Sequence, residues 1–238
     1  MSWTNNPGRV AGVLYLLLGI AAPFRLIYIP SKLFVRGDAT ATAHNIAANE
    51  TLFRLGIVSD LFCGVVLIFL TLALYRLFKG VDQKLAVLVV ILGGLMPAMI
   101  DFVNVLNDAA ALMLAGGTDF LSAFEKPQRD ALAMLFVRLH HQEIVAAEIL
   151  WGLWLFPLGA LAFRSRFLPR FLGVWLILNG VAYLAESFTG LLFPQYENLV
   201  SNLAFPVQLG ELAFMLWLVI KGANPPAVVV RAPSPAAA

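Results

Sequence analysis

Five carboxylates interrupt otherwise apolar stretches of this chain: Asp60, Asp101, Glu148, Glu186 and Glu211. Arg25, Arg54, Asn104 and the adjacent pair His140 and His141 fall near them in register. Such groups in an apolar setting can hold a cation, relay protons, ligate a metal or serve as acid and base. For a metal, the donors at hand are His44, His140 and His141 with Asp60 or Asp101. However, "HHQE" has no zinc or di-iron spacing, and successive residues of a helix point about 100° apart. No metal and no cofactor is expected.

The chain that must position these groups has 238 residues, of which 61% are hydrophobic and only 13% charged. With a mean hydropathy of +0.85, it reads as an integral membrane protein of all-α class, a polytopic bundle. The single cysteine, Cys63, excludes an internal disulfide. A net charge of +2, with no phosphate-cradling glycine loop and no basic aromatic surface, excludes nucleic acid as a partner. The partners expected are the lipid bilayer and a small-molecule or lipid-like ligand, with the oligomeric state left open.

Six apolar runs approach the roughly 20 residues that a membrane helix needs. They lie near Val10 to Ile29, Phe53 to Leu77, Leu85 to Leu106, Ile144 to Phe163, Phe171 to Phe193 and Leu203 to Ile220. The first follows Arg9 like a signal peptide, but its apolar character continues to Ile29, as in an uncleaved helix. Residues 1–221 form the membrane domain, and the Pro/Ala-rich residues 222–238 are expected to be a disordered tail.

Two short connections carry the basic residues: Arg76, Lys79 and Lys84 in one, Arg164, Arg166 and Arg170 in the other. Placing both in the cytoplasm puts both termini there as well. The longer connections, 30–52 and 107–143, then lie outside. Asp38 is the expected N-cap of a short helix in "GDATATAHNIAANE", and a second helix is expected from about Pro127, continuous with the fourth span.

In this arrangement the five acids fall in one outer layer. Asp60 and Glu211 lie about seven or eight residues into their spans, roughly 10 to 12 Å deep at about 1.5 Å per residue. Asp101, Asn104 and Asp108 share one helical stripe, and His141, Glu148, Gly152 and Gly159 share another. Arg25 and Arg54 stand at the same level, and two arginines cannot neutralise five carboxylates. The expectation is a bundle tightly packed toward the cytoplasm and opening outward into an acidic cavity. Pro23, Pro97, Pro157 and Pro206 are expected to interrupt their helices. Arg9, Gly12, Gly19 and Ala21 recur as Arg170, Gly173, Gly180 and Ala182, a spacing that small-residue helix packing explains without a duplication.

Three uses fit such a cavity: binding or transport of a small polar or cationic solute, lipid-directed chemistry by a metal or a carboxylate, and a non-catalytic partner or sensor role. The acid layer favours the first. The segments "YIPSKLFVRGDATATAHNIAANETLFRLGIVSDL", "LALYRLFKGV" and "LHHQEIVAAEILWGLWLFPLGALAFRSRFLPRFLGVWLILNGVAYL" resemble the bacterial multi-pass membrane family known as domain of unknown function 4386. The resemblance covers residues 8 to about 221 and implies six membrane helices in a bacterial inner membrane, with no activity attached. Its most family-like pieces surround Asp38, Glu50, Arg54, Asp60, His140 and Trp151.

Overall fold

The computed structural model describes residues 6–225. Helices run over Pro7–Leu33 (α1), Ala39–Ala48 (α2), Glu50–Phe78 (α3), Gln83–Gly116 (α4), Lys126–Arg164 (α5), Arg170–Leu192 (α6) and Pro194–Ile220 (α7). All but α2 are long and apolar enough to cross a membrane, so the all-α, six-span expectation holds. The tail expected over 222–238 lies, from 226 onward, outside the described residues.

The spans pack in a closed ring in chain order, α1 on α3, α3 on α4, and so on to α7, which returns to α1. Both short connections stand at one end of it. Arg164 Nη1 lies 3.4 Å from Asp82 Oδ2, and the Phe78 and Phe167 rings stack at 5.8 Å. The described ends of the chain meet each other too, Asn6 Oδ1 accepting from the Ala223 N–H at 3.0 Å.

The longer connections are shorter than the hydropathy suggested. α4 continues ten residues past Leu106 to Gly116, where Gly117 at φ +67° ends it in a left-handed turn. α5 begins at Lys126 with a capping box between Glu125 and Gln128, and runs unbroken into the fourth span as expected. Helical turns that project beyond lipid are polar on one face, so hydropathy alone reads them as loop. α2 forms as expected, with Asp38 Oδ1 accepting from the Ala41 N–H at 2.8 Å.

Half of the ring toward the short connections is filled by a core that includes Leu70, Leu74, Leu155, Leu158, Leu176 and Phe214, each fully buried. A smaller core at the far end packs Ile46 of α2 with Ile29, Leu33, Phe53, Ala111 and Val137. α2 is therefore a cap over that end. Glycines set the closest crossings: a Cβ on Gly152 would stand 2.7 Å from the Gly180 carbonyl oxygen, and one on Gly159 2.6 Å from that of Gly173. The repeated glycines thus have packing reasons, since a Cβ on Gly12 would likewise stand 2.6 Å from the backbone nitrogen of Val219.

Pro157 and Pro206 sit inside continuous α-helix and interrupt nothing. Pro23 and Pro97 differ, because Pro23 immediately precedes the π-helical segment Phe24–Tyr28 in α1 and Pro97 follows by two residues the end of another, Ile91–Leu95, in α4. A glycine-bearing distortion within a span was not expected. Gly93 and Gly94 make it useful for packing, since a Cβ on each would stand 2.2 Å from Trp154 and 2.1 Å from Thr71 Oγ1, respectively.

Candidate functional site

Between the two cores lies a polar layer that divides into two centres. The first begins at Arg25. Proline has no N–H to continue the ladder at position 23, and the bonding beyond it widens so that the Ile29 N–H donates to Phe24 O. The π turn directs Arg25 inward at 2% exposure while Ile27 remains 67% exposed. On α3, Gly56 leaves room for the arginine stem, as a Cβ there would lie 3.2 Å from Arg25 Cδ.

The guanidinium donates from Nε to Asp108 Oδ2 at 3.1 Å and from Nη2 to Asp108 Oδ1 at 2.6 Å. Nε also stands 3.3 Å from Asp60 Oδ2. His140 fills the remaining side, with Nδ1 3.3 Å from Asp108 Oδ1 and Nε2 3.9 Å from Asp60 Oδ2. The ring is buried, yet neither nitrogen is aligned for a hydrogen bond. Asn104 donates to the His140 carbonyl at 3.2 Å, and Asn107 links Asn104 to Glu143. Asp101 stands beside Gly64, within electrostatic reach of Asp60 and Glu143.

Asp60, Asp108 and His140 offer ligand atoms within 4.8 Å of one another, close enough to raise the question of a metal. Arg25 answers it: the guanidinium engages both oxygens of Asp108 and already supplies a positive charge where the metal would sit. The donor set does not fit a divalent ion alone, because the guanidinium and the metal would repel at close range.

The second centre joins α5, α6 and α7 with one residue of α1. Glu211 accepts from the Tyr15 hydroxyl and from Asn179 Nδ2, the last at 3.3 Å, with the Tyr183 hydroxyl nearby. Gln208 donates to Glu186, and Ser201 stands near it. Glu148 lies within electrostatic reach of Glu186 and Glu197. Trp154 packs on Tyr15 and Trp151 on Tyr183, both with ring centroids 6.0 Å apart. Asn179 is fully buried and its Oδ1 has no hydrogen-bond partner. Among the described residues, no ion pair joins Glu148, Glu186 or Glu211 to a lysine, arginine or histidine.

The residues singled out in the sequence thus separate. Arg25, Asp60, Asn104 and His140 meet in the first centre, with Asp101 beside it. Glu148, Glu186 and Glu211 belong to the second. Arg54 belongs to neither: it pairs with Glu50 at 2.7 Å, both largely exposed, along a mostly apolar groove of about 520 Å³ between α2, α3 and α4. His141 is exposed and meets Glu197 at 3.2 Å. Asp108 was legible as the stripe partner of Asn104. Tyr15, Asn179, Tyr183 and Gln208 were missed, although a mid-span Asn or Gln is itself a signal of polar contact between helices.

A family model described as "Domain of unknown function (DUF4386)" matches residues 10–222. A protein of Archaeoglobus fulgidus described as "Uncharacterized protein" is 34% identical over 74 residues, 31% of this chain. The match spans 43% of that relative's length. No solved structure matches the chain.

Proposed function

The chain belongs to the family described as domain of unknown function 4386, and from that premise we propose that it binds and moves a small cationic solute through the acidic centre of α5, α6 and α7. We place it in the cytoplasmic membrane of a bacterium with both termini inside, because the short connections at one end carry Arg76, Lys79, Lys84, Arg164, Arg166 and Arg170.

One observation carries the reading. Glu148, Glu186 and Glu211 are gathered from three helices around Tyr183, and Glu186 and Glu211 are met by Tyr15, Asn179 and Gln208, all neutral donors. Hydroxyl and amide donors orient carboxylates without cancelling their charge. A group of three in a low-dielectric surround therefore favours protons or a cation. The tyrosines, backed by Trp151 and Trp154, add aromatic surface of the kind that receives organic cations.

The test is thermal stability of the purified protein in detergent against a panel of alkali, alkaline-earth, polyamine and quaternary ammonium cations. At least one class is expected to raise Tm in the wild type and in Arg54→Ala but not in Glu186→Gln or Glu211→Gln. Equal responses in all four proteins, or none in the wild type, would reject the reading. For orientation, a Cys63→Ala background with a cysteine at Asp82 is expected to resist a membrane-impermeant thiol reagent in intact cells and to react after lysis.

A further inference from the structure

The second centre does not use Arg25, Asp60, Asp108 or His140, and their arrangement is incomplete as it stands. One guanidinium faces two carboxylates, so with a neutral imidazole the four side chains carry one uncompensated negative charge. The exposures of Arg25, Asp108 and His140 are 2%, 0% and 3%, and only the Asp60 side chain, at 17%, is partly open to its surroundings, so most of that charge is desolvated. His140 adds a second deficit. Its ring stands between the two carboxylates with neither nitrogen aligned to a partner, in a setting where a buried polar atom normally finds one.

Both deficits are removed by a single positive charge on the line between His140 Nε2 and Asp60 Oδ2. We infer that the first centre is a binding site for one exchangeable proton, shared between His140 and Asp60. A proton on that line leaves Nδ1–H facing Asp108 Oδ1 and closes the present 3.9 Å gap by a small rotation of either side chain. Arg25 then belongs to Asp108 alone. When the proton leaves, Asp60 depends on its 3.3 Å contact with Arg25 Nε, so the guanidinium is divided between α3 and α4. A divalent metal overshoots the charge count by one, whereas a proton matches it.

Titratable groups face this line from each of the four helices. α1 supplies only Arg25, and α3 supplies Asp60 with the Cys63 thiol nearby. α4 supplies Asp108 and, within reach of Asp60, Asp101. α5 supplies His140 with Glu143 and the exposed His141 on adjacent turns. Asp101 and Glu143 are acids outside these four side chains, Glu143 accepting from Asn107 at 3.1 Å, and the count of one charge is that of the four alone. The inference is independent of the solute reading, which concerns different residues.

Infrared difference titration of the protein in lipid between about pH 5 and 9 tests it, a range in which a histidine-linked proton can be followed. One protonated-carboxyl or imidazolium signal is expected to be lost in Asp60→Asn, altered in His140→Gln and retained in Glu211→Gln. Spectra of Asp60→Asn and wild type that titrate identically would overturn the inference, as would a stoichiometric metal in the purified wild type that is lost in His140→Gln. Should the variants misfold, ¹⁵N-histidine resonances of the wild type serve instead. A soluble paramagnetic reagent broadens the exposed His44 and His141 and leaves His140. A His140 signal that shifts with pH is expected, and one that stays fixed as neutral imidazole, with no carboxyl proton in the wild-type infrared spectrum, would refute the proposal.

Discussion

Replacing Arg25 by Met removes the cation of the first centre and keeps most of its aliphatic length. The guanidinium donates twice to Asp108 and touches Asp60 at 3.3 Å, so both acids lose their arginine in a single step. Removing one member of a buried ion pair costs about 3–5 kcal/mol, because the remaining charge stays desolvated. At about 1.4 kcal/mol per tenfold, the folded fraction relative to unfolded falls by roughly two to three and a half powers of ten. Arg25→Met with Asp108→Leu removes the stranded charge too, and a well-packed apolar replacement for a buried pair is often neutral. Asp60 then keeps His140 as neighbour. The double variant should therefore be more stable than the sum of the single losses by at least about 2 kcal/mol.

Reversible unfolding in mixed micelles, followed by the fluorescence of the five tryptophans, measures all three variants. Arg54→Ala is the internal control, because its pair with Glu50 has side chains 62% and 55% exposed; its change should stay within about 0.5 kcal/mol. The reasoning fails if Arg25→Met is within about 1 kcal/mol of wild type, or if the double variant equals the sum of the singles. Either result would mean that Asp60 and Asp108 are already neutral without arginine.

The glycine crossings give a second expectation in the same assay. Gly152→Ala and Gly159→Ala should each cost about 1–3 kcal/mol by forcing α5 from α6, since the added Cβ meets backbone oxygen at 2.7 and 2.6 Å. Gly116→Ala, with nothing within 4 Å, should be neutral or stabilising by up to about 1 kcal/mol. At the π segment of α4, Gly94→Ala should also destabilise, because its Cβ meets Thr71 Oγ1 at 2.1 Å. Thr71→Ala should restore most of that loss in the double variant, as the next nearest atom is 3.1 Å away; additive losses would show that the clash is with the backbone path instead.

The six spans were legible because each carries enough apolar residues to be recognised by count alone, and Asp38 announced α2 by its capping chemistry. The far end of α4 was not, since a helix that leaves lipid keeps its backbone but loses its hydropathy signal, whereas Pro127 marked the start of α5 to within a residue. Proximity was readable in part: Arg25, Asp60, Asn104 and His140 meet in one centre, while Glu148, Glu186 and Glu211 gather in another. Direction around each helix was harder. Arg25 follows an ideal 3.6-residue turn only as far as Pro23, and the π segment then rotates it into the bundle, a change that no periodicity computed for an α-helix contains. His140 and His141 show the same limit in reverse, since adjacent positions cannot share a face and only packing decides which one is buried.

The two π segments have a common consequence. One sets Arg25 against Asp108, and the other lies in the turns immediately before Asp101, with Gly93 against Trp154 of α5 and Gly94 against Thr71 of α3. A π turn holds one residue more than an α turn needs, so it can pass that residue along the helix without breaking the ladder. Arg25 stands within such a turn and faces acids on two helices, Asp60 on α3 and Asp108 on α4. A change in the charge between Asp60 and His140 therefore acts on the π segment of α1. The second centre is reached from the same helix, because Tyr15 of α1 donates to Glu211. α1, through Arg25 and Tyr15, and α5, through His140 and Glu148, are thus the covalent connections between a proton site and an acidic site that share no hydrogen bond or ion pair among the described residues.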